Sequence, residues 1–166
     1  MAENNRNGGL VPAPAEVDPR IVRFIGRHRV MTLAAVSSPA AGEVWCCNLF
    51  YAYVLPGKGG EMAGGAFVFT SPAETEHARM FVERPKVAGS VVLESRVVGR
   101  LQGLQFQGVV ERADARTDGG ALAKRAYLKR FPFAAPMLSD LWVLRVTRFK
   151  FTDNTLGFGT KLLWTE

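Results

Sequence analysis

The amino-acid sequence predicts a mainly β protein with flanking helices, folded as a small barrel. Residues 43–55 predict a long strand that is largely apolar on both faces, so both faces should be covered. Residues 141–151 predict a second long strand whose apolar positions change phase midway, as a bend or bulge in a barrel strand produces. Long, curved strands with few helices favour a closed barrel over a doubly wound sheet.

The length and composition indicate a single globular domain. The chain has 166 residues and a formal net charge of +6. Residues 1–15 are rich in Asn, Gly, Pro and Ala, which predicts a disordered tail ahead of a folded domain at residues 16–166. No apolar run approaches the roughly 20 residues that span a bilayer, and the N-terminus lacks the core of a signal peptide. We therefore expect a cytoplasmic protein without membrane association.

The first half of the domain predicts a helix and then two strands. Asp18 and Pro19 fit the N-cap and first position of a helix that runs to about Arg29. A strand is predicted at residues 30–37, followed by turn residues and the long strand at residues 43–55. A glycine-rich hairpin region then leads into the middle of the chain.

The long strand carries two cysteines and a polar exception. Cys46 and Cys47 are adjacent, so their side chains point to opposite faces and a bridge between them is not expected. Small residues of a buried strand are favoured over a catalytic thiol, and no zinc-ligand spacing occurs. Asn48 needs a hydrogen-bonding partner if it is buried. A backbone group and a heteroaromatic ligand such as a flavin are the two alternatives.

The segment at residues 67–82 admits two interpretations. Its first three residues predict a buried strand, and a helix is predicted to open at Pro72. Hydroxyl groups at such a helix N-terminus can form a seat for phosphate. Ser71 and Glu74 also fit an ordinary capping box, which many proteins use without binding anything. These residues alone favour the plain cap.

The second half predicts strands around one more helix. Strands are expected at residues 86–93, 103–112 and 161–164 in addition to residues 141–151, with a bulge or close backbone approach at Gly108. The helix at residues 118–130 is expected to have a stripe through Leu122 and Ala126 that can extend to Lys129, and a solvated basic face around Tyr127. Tyr127 itself could shape a substrate pocket or dock the helix, and docking is favoured. Six aromatic residues are expected in the core: Phe50, Phe67, Phe69, Phe106, Trp142 and Phe149.

This order of elements and several motifs resemble the FMN-binding split barrels, the fold of pyridoxamine 5'-phosphate oxidase, and within it the bacterial YhbP-like family, whose function is poorly defined. The matching motifs are GEVWCCNLFY at 42–51, ETEHARM at 74–80, GLQFQG at 103–108, RAYLKRFP at 125–132 and FTDNTLGFGTKLLW at 151–164. The last of these is the most specific. The resemblance implies a homodimer with FMN in clefts at the subunit interface.

The resemblance also implies a set of cofactor contacts, and it favours a phosphate site at the turn after residue 69. The phosphate would be held by the turn and the flavin ring would lie along the second strand, with further contacts from a neighbouring strand and the partner's C-terminal segment. His77 stands where many split barrels have Lys or Arg, which predicts a weaker hold on phosphate as the pH rises. Neutral Gln102 and Gln107 also replace charged hydrogen-bond donors. The implied contacts are Thr70, Ser71, Thr75, His77, Trp45, Cys46, Asn48, Gln102, Thr152, Asn154 and Lys161.

Three classes of function follow from the sequence. The first is an FMN-dependent oxidoreductase acting on a small molecule, in which the flavin carries the redox chemistry and no catalytic side chain is named. The second is a non-catalytic protein that binds or senses a flavin, haem or a deazaflavin. The third is a nucleic-acid-binding module, ranked lowest because the basic residues are scattered and no recognition motif is present.

Overall fold

The structure, a computed structural model, describes residues 16–37, 42–57 and 62–166. Within these residues the α-helices are α1 (Pro19–Arg27), α2 (Glu76–Glu83) and α3 (Asp118–Arg130). The strands are β1 (Val30–Val36), β2 (Val44–Val54), β3 (Ala66–Thr70), β4 (Lys86–Leu93), β5 (Gln102–Arg112), β6 (Leu141–Asp153) and β7 (Lys161–Thr165). The predicted tail at residues 1–15 and parts of two predicted turns, residues 38–41 and 58–61, lie outside the described residues.

The strands form one antiparallel sheet that closes into a barrel. Its order is β3-β2-β1-β4-β5-β6-β7, and β3 also pairs with β6. This closure joins residues 66–70 to residues 141–145, so six strands form the barrel and β7 extends the sheet from the outer half of β6. The mainly β barrel that the sequence predicts is confirmed.

A bulge in β6 explains the change of apolar phase along that strand. The pairing of β5 with β6 shifts register between Gln107 and Gly108, which leaves Thr147 as an extra residue on β6. The apolar residues on both sides of Thr147 therefore point into the barrel. A side chain at Gly108 would meet the carbonyl oxygen of Arg145 at 2.3 Å, so this position requires glycine. The irregularity predicted at Gly108 is confirmed.

Helix α1 is capped at both of its ends and packs against the barrel between them. At its start, the carboxylate of Asp18 accepts a hydrogen bond from the backbone N–H of Arg20 at 2.8 Å and caps the first turn. At its end, the guanidinium of Arg130 donates to the carbonyl oxygens of Gly26 and His28, which a helix terminus leaves free. Between the ends, three apolar side chains pack into the barrel core: Ile21, Phe24 and Ile25.

Helix α2 begins later than the sequence predicts. The expected start at Pro72 is wrong, because residues 72–75 form a separate turn in which the backbone N–H of Thr75 donates to the carbonyl oxygen of Pro72 at 3.1 Å. Thr75 is the N-cap, and Glu76 is the first helical residue. The capping box expected from Ser71 and Glu74 is therefore not formed.

Helix α3 buries a different stripe from the one predicted. Its buried residues are Gly120, Ala123 and Tyr127, and the last two pack with Ala52 and Val68 on the outer face of the barrel. Leu122 is 42% exposed. The stripe through Leu122 is therefore wrong, whereas the docking role favoured for Tyr127 agrees with its burial beneath the basic residues.

Helix α3 and the segment that follows it cover one portion of the outer barrel face and leave another portion uncovered. Five of the six predicted core aromatics are buried, but Phe50 is 53% exposed and that prediction is wrong. Phe50 lies on the outer face of β2, next to Ala52, at the edge of the area that α3 covers. Beyond Phe50, the outer faces of β1, β2 and β4 carry exposed residues. Both faces of β2 were expected to be covered, so the open area is the natural place to look for a ligand or a partner.

Candidate functional site

Strand register brings polar side chains from five strands into one row across the open outer face. The row runs from Asn48 through Thr32, Ser90 and Gln105 to Lys150. Since alternate residues of a strand point to opposite faces, all five side chains point away from the core. The barrel therefore carries a polar strip on a face that is otherwise uncovered.

An open groove of about 520 Å³ follows this strip. The adjacent row of the sheet contributes Ala34 and Ala88 near the middle and Gln107 and Arg148 toward β6. The two alanines leave room over the strands, while longer polar side chains stand along the side formed by β5 and β6. The groove therefore combines a flat floor with hydrogen-bonding groups on one side.

The polar groups of the groove are largely unengaged. Thr32 donates a hydrogen bond to the side-chain oxygen of Asn48 at 2.8 Å. Other groove side chains make no hydrogen bond or ion pair with any residue that the structure describes; these are Ser90, Gln105, Gln107, Arg148 and Lys150. Groups of this kind can exchange water for a ligand without losing an internal bond.

The groove is positively charged at its β6 side. Arg148 and Lys150 are two residues apart on the same face, which places their Cα atoms roughly 7 Å apart. None of the described residues that line the groove is acidic. An anionic group would therefore be attracted to this side, and a guanidinium can bind a phosphate or carboxylate through two hydrogen bonds.

The residues expected to contact a flavin ring are divided between two faces. Cys46 lines the groove and Asn48 belongs to its polar row, so these two lie on the open face. Trp45 is paired with Ala35 and has the opposite orientation, with half of its side chain exposed. The cysteines also differ: Cys46 is exposed, contrary to the buried position expected for it, because no element among the described residues covers this part of β2.

The remaining predicted contacts lie at the β5, β6 and β7 ends. Thr152 pairs with Lys161, and together they continue the outer face beside the row of Lys150. Gln102 lies on the opposite face, where its side chain bonds to Asp153. The side chain of Asn154 bridges two loops, donating to the carbonyl oxygen of Val98 at 2.8 Å and accepting from the backbone N–H of Gly159 at 3.0 Å.

The four residues expected to hold phosphate lie together at the turn between β3 and α2. The hydroxyl of Ser71 contacts Nε2 of His77 at 2.7 Å and the hydroxyl of Thr75 at 3.2 Å, and Thr75 lies 3.1 Å from the same nitrogen. Thr70 bonds instead to the hydroxyl of Ser139 at 2.7 Å. Burial lowers the pKa of His77, so its imidazole is neutral at pH 7. The hydroxyl groups of this turn are engaged with one another.

A carboxylate already lies at the first free N–H of this turn. The side chain of Asp140 accepts a hydrogen bond from the backbone N–H of Ala73 at 2.8 Å and a second from Arg112. The bond from Ala73, followed by the contact with Arg112, lowers the pKa of Asp140. Asp140 therefore already occupies the N–H of Ala73 in the turn that precedes α2, and a phosphate bound there would have to compete with it.

The closed six-stranded barrel extended by a seventh strand is the split-barrel fold, which is found in haem-binding and flavin-binding proteins. The chain belongs to the UPF0306 family: it is 35% identical to the UPF0306 protein YhbP of Escherichia fergusonii over 144 residues, which is 87% of this chain and 90% of that protein. The family expected from the sequence motifs is thus confirmed. No protein-family model matches the chain.

Solved structures show the same fold. A heme-binding protein from Mycobacterium smegmatis matches with a TM-score of 0.68 and 25% identity over 86% of this chain, which spans only 55% of that protein. The heme storage protein HutZ from Vibrio cholerae matches with a TM-score of 0.61 and 16% identity, covering 80% of this chain and 91% of HutZ. An FAD-binding protein from Mesorhizobium loti matches with a TM-score of 0.60 and 11% identity, covering 81% and 93%.

Sequence reasoning missed the cations of the groove. Arg148 and Lys150 alternate with buried Phe149 and Phe151, so their outward orientation was readable once the phase change in β6 was recognised. The sequence does not predict the register that places these cations beside Gln105, because strand pairing depends on contacts between distant segments.

Two further observations concern metal ions and membranes. Among the residues that the structure describes, no group of three His, Cys, Asp or Glu side chains is arranged to hold a metal ion. No helix in the described ranges is long and apolar enough to cross a membrane.

Proposed function

We propose that this chain binds FMN in the outer-face groove and acts as a flavin-dependent oxidoreductase on a small molecule. The observation that carries the proposal is the groove itself: an uncovered, flat strip of sheet with unengaged hydrogen-bonding side chains and two cations at one side. A flavin is flat, has several hydrogen-bonding atoms along its ring edge and carries a phosphate, so its chemistry matches each part of this surface.

The groove residues divide into two roles. Thr32, Ser90 and Gln105 present neutral donors and acceptors that suit the edge of an isoalloxazine ring. Arg148 and Lys150 suit the phosphate, which carries more charge than neutral side chains can stabilise. The turn that holds Ser71 and His77 remains the alternative phosphate site, although its hydroxyl groups are already hydrogen-bonded.

We also propose that a second copy of the chain covers the groove. Large apolar side chains surround it without cover in the described structure: Val30, Val36, Val44, Phe50 and Val92 are between 39% and 66% exposed. Burial of such residues stabilises a subunit interface. A homodimer would enclose the ring from its open side, and the outer face near Thr152 and Lys161 would contribute to the same interface.

Bound FMN would supply the redox chemistry, while the protein would orient it and restrict water. None of the described residues that line the groove is a histidine or a carboxylate that could serve as a general acid or base. Turnover would in any case need an external electron donor to reduce the flavin.

Haem binding without turnover is the second candidate, and the similarity to the heme-binding protein from Mycobacterium smegmatis favours it. Arg148 and Lys150 would also suit haem propionates. An iron ligand is harder to find: His28 and His77 are the histidines of the chain, and neither lines the groove. Cys46 is the groove residue whose side chain could ligate iron.

The test is a pair of titrations of the purified, cofactor-free protein, one with FMN and one with hemin. Saturable quenching of FMN fluorescence at one FMN per chain, followed by bleaching of the flavin absorption on addition of NADH or NADPH, supports the proposal. Binding of FMN without reduction by any nicotinamide donor supports a binding protein and removes the oxidoreductase. A Soret band with hemin that is lost in Cys46→Ser, together with no FMN binding, replaces flavin by haem.

A further inference from the structure

A second cavity lies where α1 meets the ends of β5 and β6, away from the groove. It has a volume of about 230 Å³ and is lined on one side by Arg20, Arg23 and Arg27 of α1. The opposite side includes Gln102 and Asp153, which point to the inner side of the sheet, whereas the groove lies on its outer side. The two surfaces are therefore separate.

The three arginines converge because of their spacing. Positions 20, 23 and 27 are separated by three and four residues, which places them along one face of a helix. The buried side chains of Ile21 and Ile25 fix the opposite face of α1 in the barrel core. The arginine face is thus held in place by packing and does not depend on the arginines themselves.

Two of the three guanidinium groups lack a counter-ion. Arg20 is paired with Asp18 at 2.6 Å and also interacts with the charge of Asp153. Arg23 and Arg27 form no ion pair or hydrogen bond with any other residue of the described ranges. The cavity therefore contains more positive charge than its own carboxylates neutralise.

The carboxylate inside the cavity is already satisfied. Asp153 is 4% exposed, and its Oδ1 accepts hydrogen bonds from the backbone N–H and the hydroxyl of Thr155 at 2.9 and 2.6 Å. Burial alone would raise the pKa of Asp153, but the bonds from Thr155 and Gln102 and the charge of Arg20 lower it overall. Asp153 is therefore ionised and structurally engaged, which leaves Arg23 and Arg27 for a ligand.

From this arrangement we infer that the cavity binds a small phosphorylated molecule. Arg23 and Arg27 would hold the phosphate by paired hydrogen bonds, a geometry for which guanidinium groups are suited. The rings of Phe24 and Phe151, whose centroids are 4.9 Å apart, give the cavity an apolar wall for the rest of the ligand. The bounded volume favours a small molecule over a nucleic-acid strand, which would need a continuous basic track.

The test uses pyrophosphate as the probe, in calorimetric titrations of the full chain at low salt. Wild type is compared with Arg23→Ala/Arg27→Ala and with Lys124→Ala/Arg125→Ala, a control on the exposed face of α3 that changes the net charge equally. The first variant should lose affinity by at least about tenfold, because two charge-assisted bonds are removed. The control should remain within about twofold, since unpaired surface charges act only through screened, long-range attraction.

Two additional measurements separate this site from its competitors. Arg23→Lys keeps the charge but removes the fork of donors, so it should weaken pyrophosphate binding without changing the circular dichroism spectrum. Arg148→Ala/Lys150→Ala, whose groove can no longer hold an anion, should still bind pyrophosphate, and adding Arg23→Ala/Arg27→Ala to it should remove that binding, which distinguishes this cavity from the FMN groove. Equal losses in the Arg23/Arg27 and Lys124/Arg125 variants, absence of pyrophosphate binding to wild type, or tighter binding of a single-stranded oligonucleotide through the same arginines would overturn the inference.

Discussion

The turn between β3 and α2 and the groove on the outer barrel face contain similar polar side chains but use them differently. At the turn, Ser71, Thr75 and His77 bond to one another, and Asp140 occupies the free N–H of Ala73. In the groove, the side chains of Ser90, Gln105 and Gln107 are available to a ligand. Polar side chains therefore form a closed hydrogen-bond network at the turn and an open surface in the groove.

The comparison shows that residue type alone does not identify a binding site. A hydroxyl beside a helix N-terminus is a candidate only while its hydrogen-bonding capacity is unused. The turn also contributes to stability, since the indole N–H of buried Trp142 donates to the carbonyl oxygen of Ser71 at 2.9 Å. None of the described polar side chains that line the groove donates a hydrogen bond to the core in this way, so these side chains are available for function. The following predictions separate the two roles.

The largest expected effect is on stability, at the turn. Trp142→Ala removes a side chain that is 2% exposed and its hydrogen bond to Ser71, so we expect a loss of about 3–5 kcal/mol in the free energy of unfolding. Arg148→Ala/Lys150→Ala, which removes exposed or half-exposed groove residues, should change it by less than about 0.5 kcal/mol. Urea denaturation measures the free energy of unfolding of both variants and of wild type. Comparable losses in the two variants would mean that the groove is structural as well.

The second effect concerns the two cysteines. Cys46 lines the groove, whereas burial raises the pKa of Cys47 to about 11. We expect Cys47 to react with a thiol reagent such as Ellman's reagent roughly a hundredfold more slowly than an ordinary thiol, because its thiolate is scarce. Saturating FMN should protect Cys46. The single variants Cys46→Ser and Cys47→Ser show which cysteine gives the fast and which the slow phase of the thiol reaction. If Cys46 still reacts at its free rate when FMN is bound, the cofactor lies elsewhere.

A smaller effect is expected at acid pH from Asp140. Its folded-state pKa is lowered by the N–H of Ala73 and by Arg112, so its contribution to stability is present above the unfolded pKa and disappears as the pH falls through the lower folded value. The wild type should therefore lose stability more steeply than Asp140→Asn below about pH 4. The unfolding temperatures of wild type and Asp140→Asn are measured from pH 6 to pH 3. If both fall in parallel, the carboxylate of Asp140 is not held by Ala73 and Arg112 as described.

The smallest effect is expected from His77. Burial lowers the pKa of its imidazole, so the folded state binds a proton less readily than the unfolded chain. Stability should be complete above the unfolded pKa of about 6.5 and should decline slightly as the pH falls below it. His77→Gln should remove that decline between pH 7 and 5. A variant with the same pH profile as wild type would indicate that His77 is not shielded from solvent.

Much of the fold could be predicted from the sequence because its signals are local. Asp18 with Pro19 marked the start of α1, and the phase change after Val146 marked the bulge in β6. Helix α3 was bounded correctly at both ends, but the stripe through Leu122 was wrong, because the face of a helix that docks depends on the barrel residues that it meets. Exposure of Phe50 was missed for a related reason: burial on an outer barrel face depends on which helix covers it.

The candidate site could be predicted only in part. The alternation of β2 put Cys46 and Asn48 on one face and Trp45 on the other from the sequence alone. The groove also requires Lys150 to lie in the same row as Thr32, and that pairing joins strands far apart in the chain. Likewise, Asp140 is remote in sequence from Ala73, so its hydrogen bond to the turn before α2 could not be predicted from the sequence. Local alternation predicts which face of a strand a side chain lies on. Which side chains meet in a binding site depends on how strands distant in sequence pair.

The most direct test of the comparison is the dissociation constant of FMN for three variants, measured by fluorescence quenching. If the groove holds the phosphate, Arg148→Ala/Lys150→Ala should weaken binding by about a hundredfold or more, because two charged contacts are lost. Thr75→Ala/His77→Ala at the turn and the charge-matched Lys124→Ala/Arg125→Ala should each stay within about threefold of wild type. Loss of FMN binding in the turn variant with full retention in the groove variant would contradict the groove assignment and place the phosphate at the turn.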